Sequence, residues 1–183
     1  MPTAYGKPAC ACLAEWLPAY EAELLARGVV VNGIDVLQLI GNAPASAGVH
    51  SKGGAFDIAQ TQGTAVWVAR QMGADATWAR MWPGNVHTHG VLRGCPHNEP
   101  ARYQVAAVDA GFDGTGAGGR GAPDDGPRPL SKRTWQQGLV WHRERVAERA
   151  ERKRLTDLIE ELRARRAALA VRIDELVAKR EAL

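Results

Sequence analysis

The residues best suited to chemistry lie in two short segments, each of which carries histidine. The first segment places His50 and Asp57 on either side of Gly53 and Gly54. An imidazole and a carboxylate are ligand types that zinc uses where it keeps a position open for water. The two glycines allow a tight turn, so the chain can fold back and bring both side chains to one point. This segment therefore predicts part of a metal site.

The second segment, residues 85–90, supplies His87 and His89. Side chains alternate along an extended strand, so both imidazoles are expected to point to the same face. One of them would complete a ligand set with His50 and Asp57. The alternative is that all these residues are ordinary polar residues, hydrogen-bonded within the fold and without a ligand.

The order of these residues resembles a known family. The motif His-x-x-Gly-x-Ala-x-Asp at residues 50–57, followed by a His-x-His strand, is similar to that of the D-Ala-D-Ala carboxypeptidase-like zinc peptidases. The likeness covers roughly residues 15–130 and points to an actinobacterial and actinophage branch, through the run 46–50 and the pair Trp82-Pro83. Enzymes of this family cleave the stem peptides of peptidoglycan. The resemblance implies zinc as the cofactor and an α+β fold with a small antiparallel sheet and flanking helices.

By this resemblance His50, Asp57 and His89 carry over as the zinc ligands. Gln38 carries over as a substrate-binding residue that orients a carbonyl or carboxylate, a role that an arginine fills in other branches. The alternative for Gln38 is an inward polar side chain with a backbone partner. The implied substrate is a peptidoglycan stem peptide.

One position departs from the family pattern. Family members place a catalytic Asp or Glu three positions before the third ligand, where this chain has Val86; counting back from His87 instead gives Gly84. His87 is then the candidate catalytic residue that could move a proton or stabilise an oxyanion, because an imidazole titrates near neutral pH.

Two functional hypotheses follow from these motifs. The first is a zinc-dependent peptidoglycan peptidase, either a D-Ala-D-Ala carboxypeptidase or an endolysin-like endopeptidase, of phage or actinobacterial origin. The second is a catalytically degenerate peptidase-like domain that serves as a phage virion structural or cell-wall-binding component. Retention of the zinc ligands favours the first hypothesis, and the missing carboxylate favours the second.

Composition limits the class of protein. The chain has 183 residues, of which 45% are hydrophobic, and this suits a compact domain with an appendage. No apolar run is long enough to span a membrane, and the N-terminus lacks a signal-peptide pattern, so neither a membrane segment nor export by the common route is expected. The expected location is the host cytoplasm or the phage virion, with action at the bacterial cell wall.

The cysteines are too few and too sparse to predict a disulfide framework. Cys10 and Cys12 are candidate metal ligands, and Cys95 with His97 forms a further candidate pair. For both pairs the alternative is free or partly buried thiols that bind no metal.

Hydrophobic periodicity predicts the elements that must position these residues. Helices are expected at 13–27, 64–72 and 100–110, strands or strand-like segments at 29–31 and 36–40, and strands at 55–59 and 76–82. Gly28 would end the first helix, and the Asn-Gly pair at 32–33 would turn the chain between the first two strands. Alternation in the third strand places Phe56 and Ile58 on one face and Asp57 on the other.

The C-terminal part of the chain is of a different kind. Residues 1–110 are expected to form the zinc peptidase-like domain. Residues 111–130 are rich in Gly, Pro and Asp and predict a linker or surface loop. Residues 131–183 predict a long helix with Ser131 as its N-cap.

The long helix has a leucine at every seventh position, which is typical of the d positions of a coiled coil. The d positions are Leu155, Leu162, Leu169, Leu176 and Leu183, and the a positions are Ile159, Arg166, Ile173 and Arg180. The repeat predicts self-association or a partner protein. The many arginines could bind nucleic acid or an anionic wall polymer, but the interspersed glutamates favour a salt-bridged solvent face, so a nucleic-acid partner is not expected.

Overall fold

A four-stranded antiparallel sheet with flanking helices is the centre of the fold. The computed structural model describes residues 1–42, 46–115 and 120–182. The chain divides into two units, Met1–His142 and Arg143–Leu183. The predicted α+β class, with a small antiparallel sheet and a long C-terminal helix, is confirmed.

The main sheet has the strand order β3-β4-β6-β5, and a separate small sheet pairs β1 with β2. All strand pairs are antiparallel. In chain order the elements are β1 (Thr3–Ala4), β2 (Lys7–Pro8), α1 (Ala11–Ala26), β3 (Val36–Gln38), β4 (Ala55–Ile58), α2 (Gly63–Gln71), β5 (Ala76–Trp82), β6 (Asn85–Val91), a 3-10 turn (Glu99–Ala101), α3 (Arg102–Asp109) and α4 (Trp135–Glu181).

Strand register brings the residues of the two histidine segments side by side. Asp57 on β4 lies opposite His89 on the neighbouring strand β6. On the other side of β4, it lies opposite Gln38 on β3. On the far side of β6, Arg80 of β5 lies opposite His87. Residues directly opposite each other in neighbouring strands share a face of the sheet. One face of the sheet therefore carries all these side chains.

The other face of the sheet packs against helix α1. The ring centroid of Phe56 lies 5.1 Å from that of Trp16, and Trp16 stacks on Tyr20 at 4.8 Å. Phe56 and Ile58 are fully buried in this core. The predicted alternation along β4 is confirmed, because Asp57 points away from this core towards the opposite face.

The predicted helices and the strand before the second histidine segment are confirmed. The helices expected at 13–27, 64–72 and 100–110 correspond to α1, α2 and the 3-10 turn with α3, and the strand at 76–82 is β5. Gly28 follows the end of α1 with a φ of 67°. This left-handed conformation is the one that glycine adopts most readily at the end of a helix.

The predicted strand at 29–31 and the turn after it are wrong. The Val29 N–H donates to the Leu24 carbonyl at 3.0 Å and so continues the end of α1. The Ile34 N–H donates to Glu21 Oε1 at 2.8 Å. Because these backbone donors are used by helix α1 and by one of its side chains, a ladder does not form, and pairing in the main sheet begins with β3.

The segment rich in glycine and proline is described at residues 111–115 and 120–130, and residues 116–119 lie outside the described part of the chain. In this segment Asp124 accepts hydrogen bonds from Arg70 Nη1 at 3.1 Å and Nη2 at 2.8 Å. Both side chains are fully buried. The segment therefore packs against the domain through a buried ion pair.

Helix α4 begins at Trp135, later than the predicted Ser131. The Gln137 N–H donates to Thr134 Oγ1 at 3.4 Å, and the Thr134 N–H donates to Gln137 Oε1 at 2.9 Å. This reciprocal pair is a capping box. The prediction of Ser131 as N-cap is wrong, because its hydroxyl donates to the Arg70 carbonyl at 2.6 Å instead.

The heptad leucines of α4 are exposed. Their exposed fractions run from 46% at Leu155 to 64% at Leu169, and Leu183 lies outside the described residues. Basic and acidic side chains pair along the same helix, as predicted for a salt-bridged surface, at Lys153–Asp157, Arg163–Glu160 and Arg172–Glu175. None of the helices that the structure describes is both long enough and apolar enough to cross a membrane.

Candidate metal centre

The side chains predicted as metal ligands converge on one point of the sheet. His50 Nε2 lies 3.3 Å from Asp57 Oδ2, and His89 Nδ1 lies 2.8 Å from Asp57 Oδ1. One donor atom from each of these residues lies within 4.8 Å of the others. Two imidazoles and a carboxylate match the donor set of a zinc site that keeps a coordination position open. The group can therefore hold a metal ion.

Hydrogen bonds outside this group orient both imidazoles. His50 Nδ1–H donates to the Leu39 carbonyl at 2.8 Å, which leaves Nε2 as the electron-pair donor facing Asp57. His89 Nε2–H donates to Gln104 Oε1 at 2.8 Å, which leaves Nδ1 on the Asp57 side. Metal-binding histidines usually donate their second ring N–H in this way, and the partner fixes the tautomer and the ring orientation.

Gln104 belongs to the site but was not predicted from the sequence. It lies on α3 and is 4% exposed. Its helical spacing from Ala101 and Val108, both buried, places it on the inward face of α3. A polar side chain on the buried face of a predicted helix was the available signal, although its partner His89 could be identified only in three dimensions.

The Gln104→Leu substitution is expected to weaken zinc binding at this centre by about 10- to 100-fold, because His89 loses the acceptor that fixes its ring. Gln104→Glu keeps an acceptor and should retain most of the affinity. Calorimetric titration of Zn²⁺ into the metal-depleted protein measures the change, with Arg102→Leu, at an exposed position of the same helix, as the matched control. Equal affinity in Gln104→Leu and wild type would contradict this role of Gln104.

The same contacts set the charge at the centre. Burial by itself raises the pKa of Asp57, but the close contacts with the His50 and His89 rings outweigh it and hold the pKa well below the usual carboxyl range. Burial lowers the pKa of His89, and the contact with Asp57 opposes part of that shift. An ionised carboxylate beside a neutral imidazole is the protonation state that binds a divalent cation.

The three candidate ligands line a cavity of about 520 Å³. A volume of this order suits a small molecule or a short peptide segment. Among the described residues that line the cavity, Asp57 is the only carboxylate. Within this lining, no other Asp or Glu replaces the acid that is missing at Val86 and Gly84. The other side chains that reach the cavity include Gln38, Arg80, Trp82, His87 and Tyr103.

His87 lies beside the ligand group. Its Nε2 is 3.8 Å from Asp57 Oδ1, and its Nδ1–H donates to the Asn85 carbonyl at 3.2 Å. Trp82 meets the imidazole edge-on, with 6.3 Å between ring centroids. Val86, by contrast, is half exposed. His87 Nε2 therefore faces the ligand group from outside it.

Arg80 is a further cavity residue that was not among the predicted site residues. Its guanidinium carbon lies 5.1 Å from the ring centroid of Trp78 and 5.3 Å from that of Trp82, so two aromatic faces hold the cation. Burial lowers the pKa of Arg80, but a guanidinium stays charged in proteins. Alternation along β5 places Trp78, Arg80 and Trp82 on one face of the strand. This alternation was the signal in the sequence that could have identified Arg80.

Gln38 also lines the cavity. Its Nε2 is buried and has no hydrogen-bond partner among the described residues. The expected backbone partner of this amide nitrogen is therefore not found in that part of the chain. A buried donor without a partner costs free energy unless a ligand satisfies it.

Comparison with known proteins does not place this chain in a family. No protein-family model, curated protein or solved structure matches it. The geometry of the candidate metal centre and the sequence motif are therefore the grounds for a functional assignment. The geometry bears on metal binding, and the motif bears on the substrate.

Proposed function

We propose that this protein is a zinc-dependent peptidoglycan peptidase, either a D-Ala-D-Ala carboxypeptidase or an endopeptidase. The observation that carries the proposal is the convergence of His50, Asp57 and His89 at a cavity that could admit a peptide. A metal held by these side chains would keep a coordination position for water or substrate. The resemblance of the motif supplies the substrate class, the stem peptides of the bacterial cell wall.

The residues around the centre supply binding and proton transfer in this proposal. Zinc held by the three ligands would act as a Lewis acid on the scissile carbonyl and activate the attacking water. Arg80 would bind a carboxylate of the stem peptide, and Gln38 Nε2 would donate to a peptide carbonyl. His87 Nε2 would accept a proton from the attacking water and pass it to the leaving amine.

The proposal predicts that removal of metal stops the release of D-alanine or peptide from purified actinobacterial peptidoglycan, and that added Zn²⁺ restores it. Mass spectrometry of the products distinguishes the two kinds of peptidase. Release of free D-alanine from uncrosslinked stem peptides indicates a carboxypeptidase, and cleavage of crosslinked or internal peptide bonds indicates an endopeptidase. Release that continues at the same rate after complete metal removal would contradict the proposal.

A second candidate function is supported by two observations. The lining described for the cavity holds no carboxylate besides Asp57, and the heptad leucines of α4 are exposed. A catalytically degenerate domain that retains its metal and assembles through a coiled coil would explain both. Such a protein would serve as a virion or cell-wall-binding component, and it would bind zinc without turning over peptidoglycan.

The coiled-coil prediction is tested by Leu169→Lys, which places a charge at a d position of α4. If α4 self-associates, this change should weaken the oligomer at least about tenfold, because each chain loses a buried leucine at the seam. Val171→Lys is the matched control, since Val171 is also apolar and 59% exposed but lies outside the a and d positions. Sedimentation of the full-length variants measures the effect. A monomeric wild type, or equal loss in both variants, would contradict the predicted seam.

A further inference from the structure

A second group of metal-ligating side chains lies outside the candidate centre on the sheet. Cys10, Cys12, Cys95 and His97 each place one donor atom within 4.8 Å of those of the other three. Cys10 Sγ lies 3.9 Å from Cys95 Sγ. His97 Nδ1 lies 3.7 Å from Cys12 Sγ and 3.6 Å from Cys95 Sγ. All the cysteines of the chain are in this group.

These separations agree with the edges of a tetrahedral zinc site. Zinc–sulfur bonds of about 2.3 Å and zinc–nitrogen bonds of about 2.0–2.1 Å imply about 3.8 Å between two sulfur ligands and about 3.6 Å between sulfur and nitrogen. The measured Cys–Cys distance and both Cys–His distances lie close to these values. Three of the six edges are thus close to those of a tetrahedral site, and the other three ligand pairs lie within 4.8 Å, so the arrangement suits a metal ion.

We propose that Cys10, Cys12, Cys95 and His97 bind a structural zinc ion. Three thiolates and an imidazole fill a tetrahedral coordination shell and leave no open position for substrate, which is the pattern of structural rather than catalytic zinc. This site shares no residue with the His50 centre, so the proposal does not depend on the proposed peptidase activity.

The start of helix α1 supplies two of the sulfur ligands. Cys10 is the N-cap residue of α1, and Cys12 lies in the first turn of that helix. The positive end of a helix dipole stabilises thiolates and the negative charge of a site with three of them. Cys10, Cys12 and Cys95 are all buried, whereas His97 is exposed at the rim. The ion would therefore be shielded on its sulfur side.

The zinc ion would stabilise the glycine turn between His50 and Asp57, two ligands of the His50 centre. Gly53 packs so closely against Cys10 that an added Cβ would lie 2.9 Å from the Cys10 Cβ. Gly54 packs in the same way against Asn98, next to His97, with 2.6 Å between an added Cβ and the Asn98 Cβ. The site thus joins the start of α1, the loop after β6 and the glycine turn.

The decisive measurement is X-ray absorption at the zinc edge of the full-length protein, purified without chelators. We expect sulfur neighbours at about 2.3 Å from zinc. The His50 centre contains no sulfur, so the sulfur signal should persist in His50→Ala and weaken in Cys12→Ser, which removes one of the three sulfur ligands. His97→Ala changes an exposed side chain and should leave the protein folded while weakening retention of this zinc by tenfold or more.

Thiol chemistry gives an independent readout because the cysteines are confined to this site. With zinc bound, all of them should resist a thiol reagent in the native wild type and become reactive when a strong chelator is added. Folded protein whose zinc has no sulfur neighbours would overturn the proposal. Thiols that react before chelation, or a disulfide between Cys10 and Cys95, would also overturn it. If Cys12→Ser fails to fold, the wild-type absorption spectrum and the thiol assay still test the proposed zinc site.

Discussion

The His50→Ala variant is expected to lower the rate of peptide release from peptidoglycan by on the order of a thousandfold or more. His50 is 1% exposed, and its Nε2 faces Asp57 at 3.3 Å, so its ring is held within the ligand group. A zinc ion stabilises transition-state charge by several kcal/mol, and about 1.4 kcal/mol corresponds to a tenfold change in rate. Loss of a ligand that holds the ion removes most of that stabilisation.

The His87→Ala variant separates metal binding from proton transfer. His87 Nε2 lies 3.8 Å from Asp57 and outside the ligand group, so this variant should keep its zinc. Loss of a positioned acid–base group typically lowers the rate by about 10²- to 10⁴-fold. Zinc analysis and rates on the same preparations, with circular dichroism to verify folding, distinguish the two roles. Full activity in His87→Ala would exclude the proton-transfer role, and full activity in His50→Ala would exclude the proposed centre.

A wild type that binds zinc at the His50 centre and releases nothing from peptidoglycan would support the second candidate. In that case the ligands would have a structural or binding role, and the missing carboxylate at Val86 and Gly84 would be the reason for inactivity. An acid introduced at position 86 is expected to restore little peptidase activity, because the side chain at this position is half exposed to solvent. An acid at position 84 would occupy a glycine with a φ of 75°, where side chains are strained.

The parts of the site that could be predicted from the sequence depend on local geometry. His50 and Asp57 flank a glycine turn, and strand alternation puts His87 and His89 on one face, so their grouping needed only the antiparallel pairing of two strands. The same alternation separated Phe56 from Asp57. The failed strand at 29–31 had apolar residues suited to a strand, but the Val29 N–H donates to α1, and the Ile34 N–H just after this segment donates to Glu21. Local preference does not reveal that kind of competition.

The remaining parts depend on contacts between distant segments. Cys10 and Cys95 are separated by 85 positions, and nothing in either segment identifies the other as its neighbour. Gln104 reaches His89 only because α3 packs across the sheet, and Arg80 enters the cavity only because β5 pairs with β6. Each of these residues could be assigned to an element and a face, but its partner is set by tertiary packing.

Arg70→Met is expected to lower the free energy of unfolding by about 3–5 kcal/mol, because the buried Asp124 carboxylate loses its buried partner and keeps only the half-exposed Arg128, at 2.8 Å, as an ion-pair partner. Arg70 is fully buried. Its Nε and Nη2 donate to the Thr77 carbonyl at 3.1 and 2.9 Å, and its Nη1 donates to the Pro127 carbonyl at 3.2 Å. The same guanidinium donates two further hydrogen bonds to the Asp124 carboxylate. Urea denaturation of the full-length protein measures the loss.

Two variants serve as controls for this prediction. Arg163→Met removes an equally short ion pair, with Glu160, on the exposed surface of α4, and should leave stability essentially unchanged. Arg70→Met combined with Asp124→Leu removes both buried charges and should recover part of the loss, because a buried apolar pair carries no desolvation cost. A double variant less stable than the sum of its single changes would contradict the assignment of the loss to the buried charge of Asp124.

The dependence of this effect on pH gives a further test of its electrostatic origin. Burial by itself raises the pKa of Asp124, but hydrogen bonds from Arg70 outweigh it and hold the pKa below its ordinary value. The unfolded chain therefore binds a proton at a higher pH than the native protein does, and the stability contributed by the ionised carboxylate is fully present above about pH 4. That contribution is lost as the pH falls through the lower native pKa. The difference between wild type and Arg70→Met should accordingly be largest near neutral pH and shrink in acid. A difference that stays constant down to low pH would show that Arg70 stabilises the fold by packing and by its carbonyl hydrogen bonds rather than through Asp124.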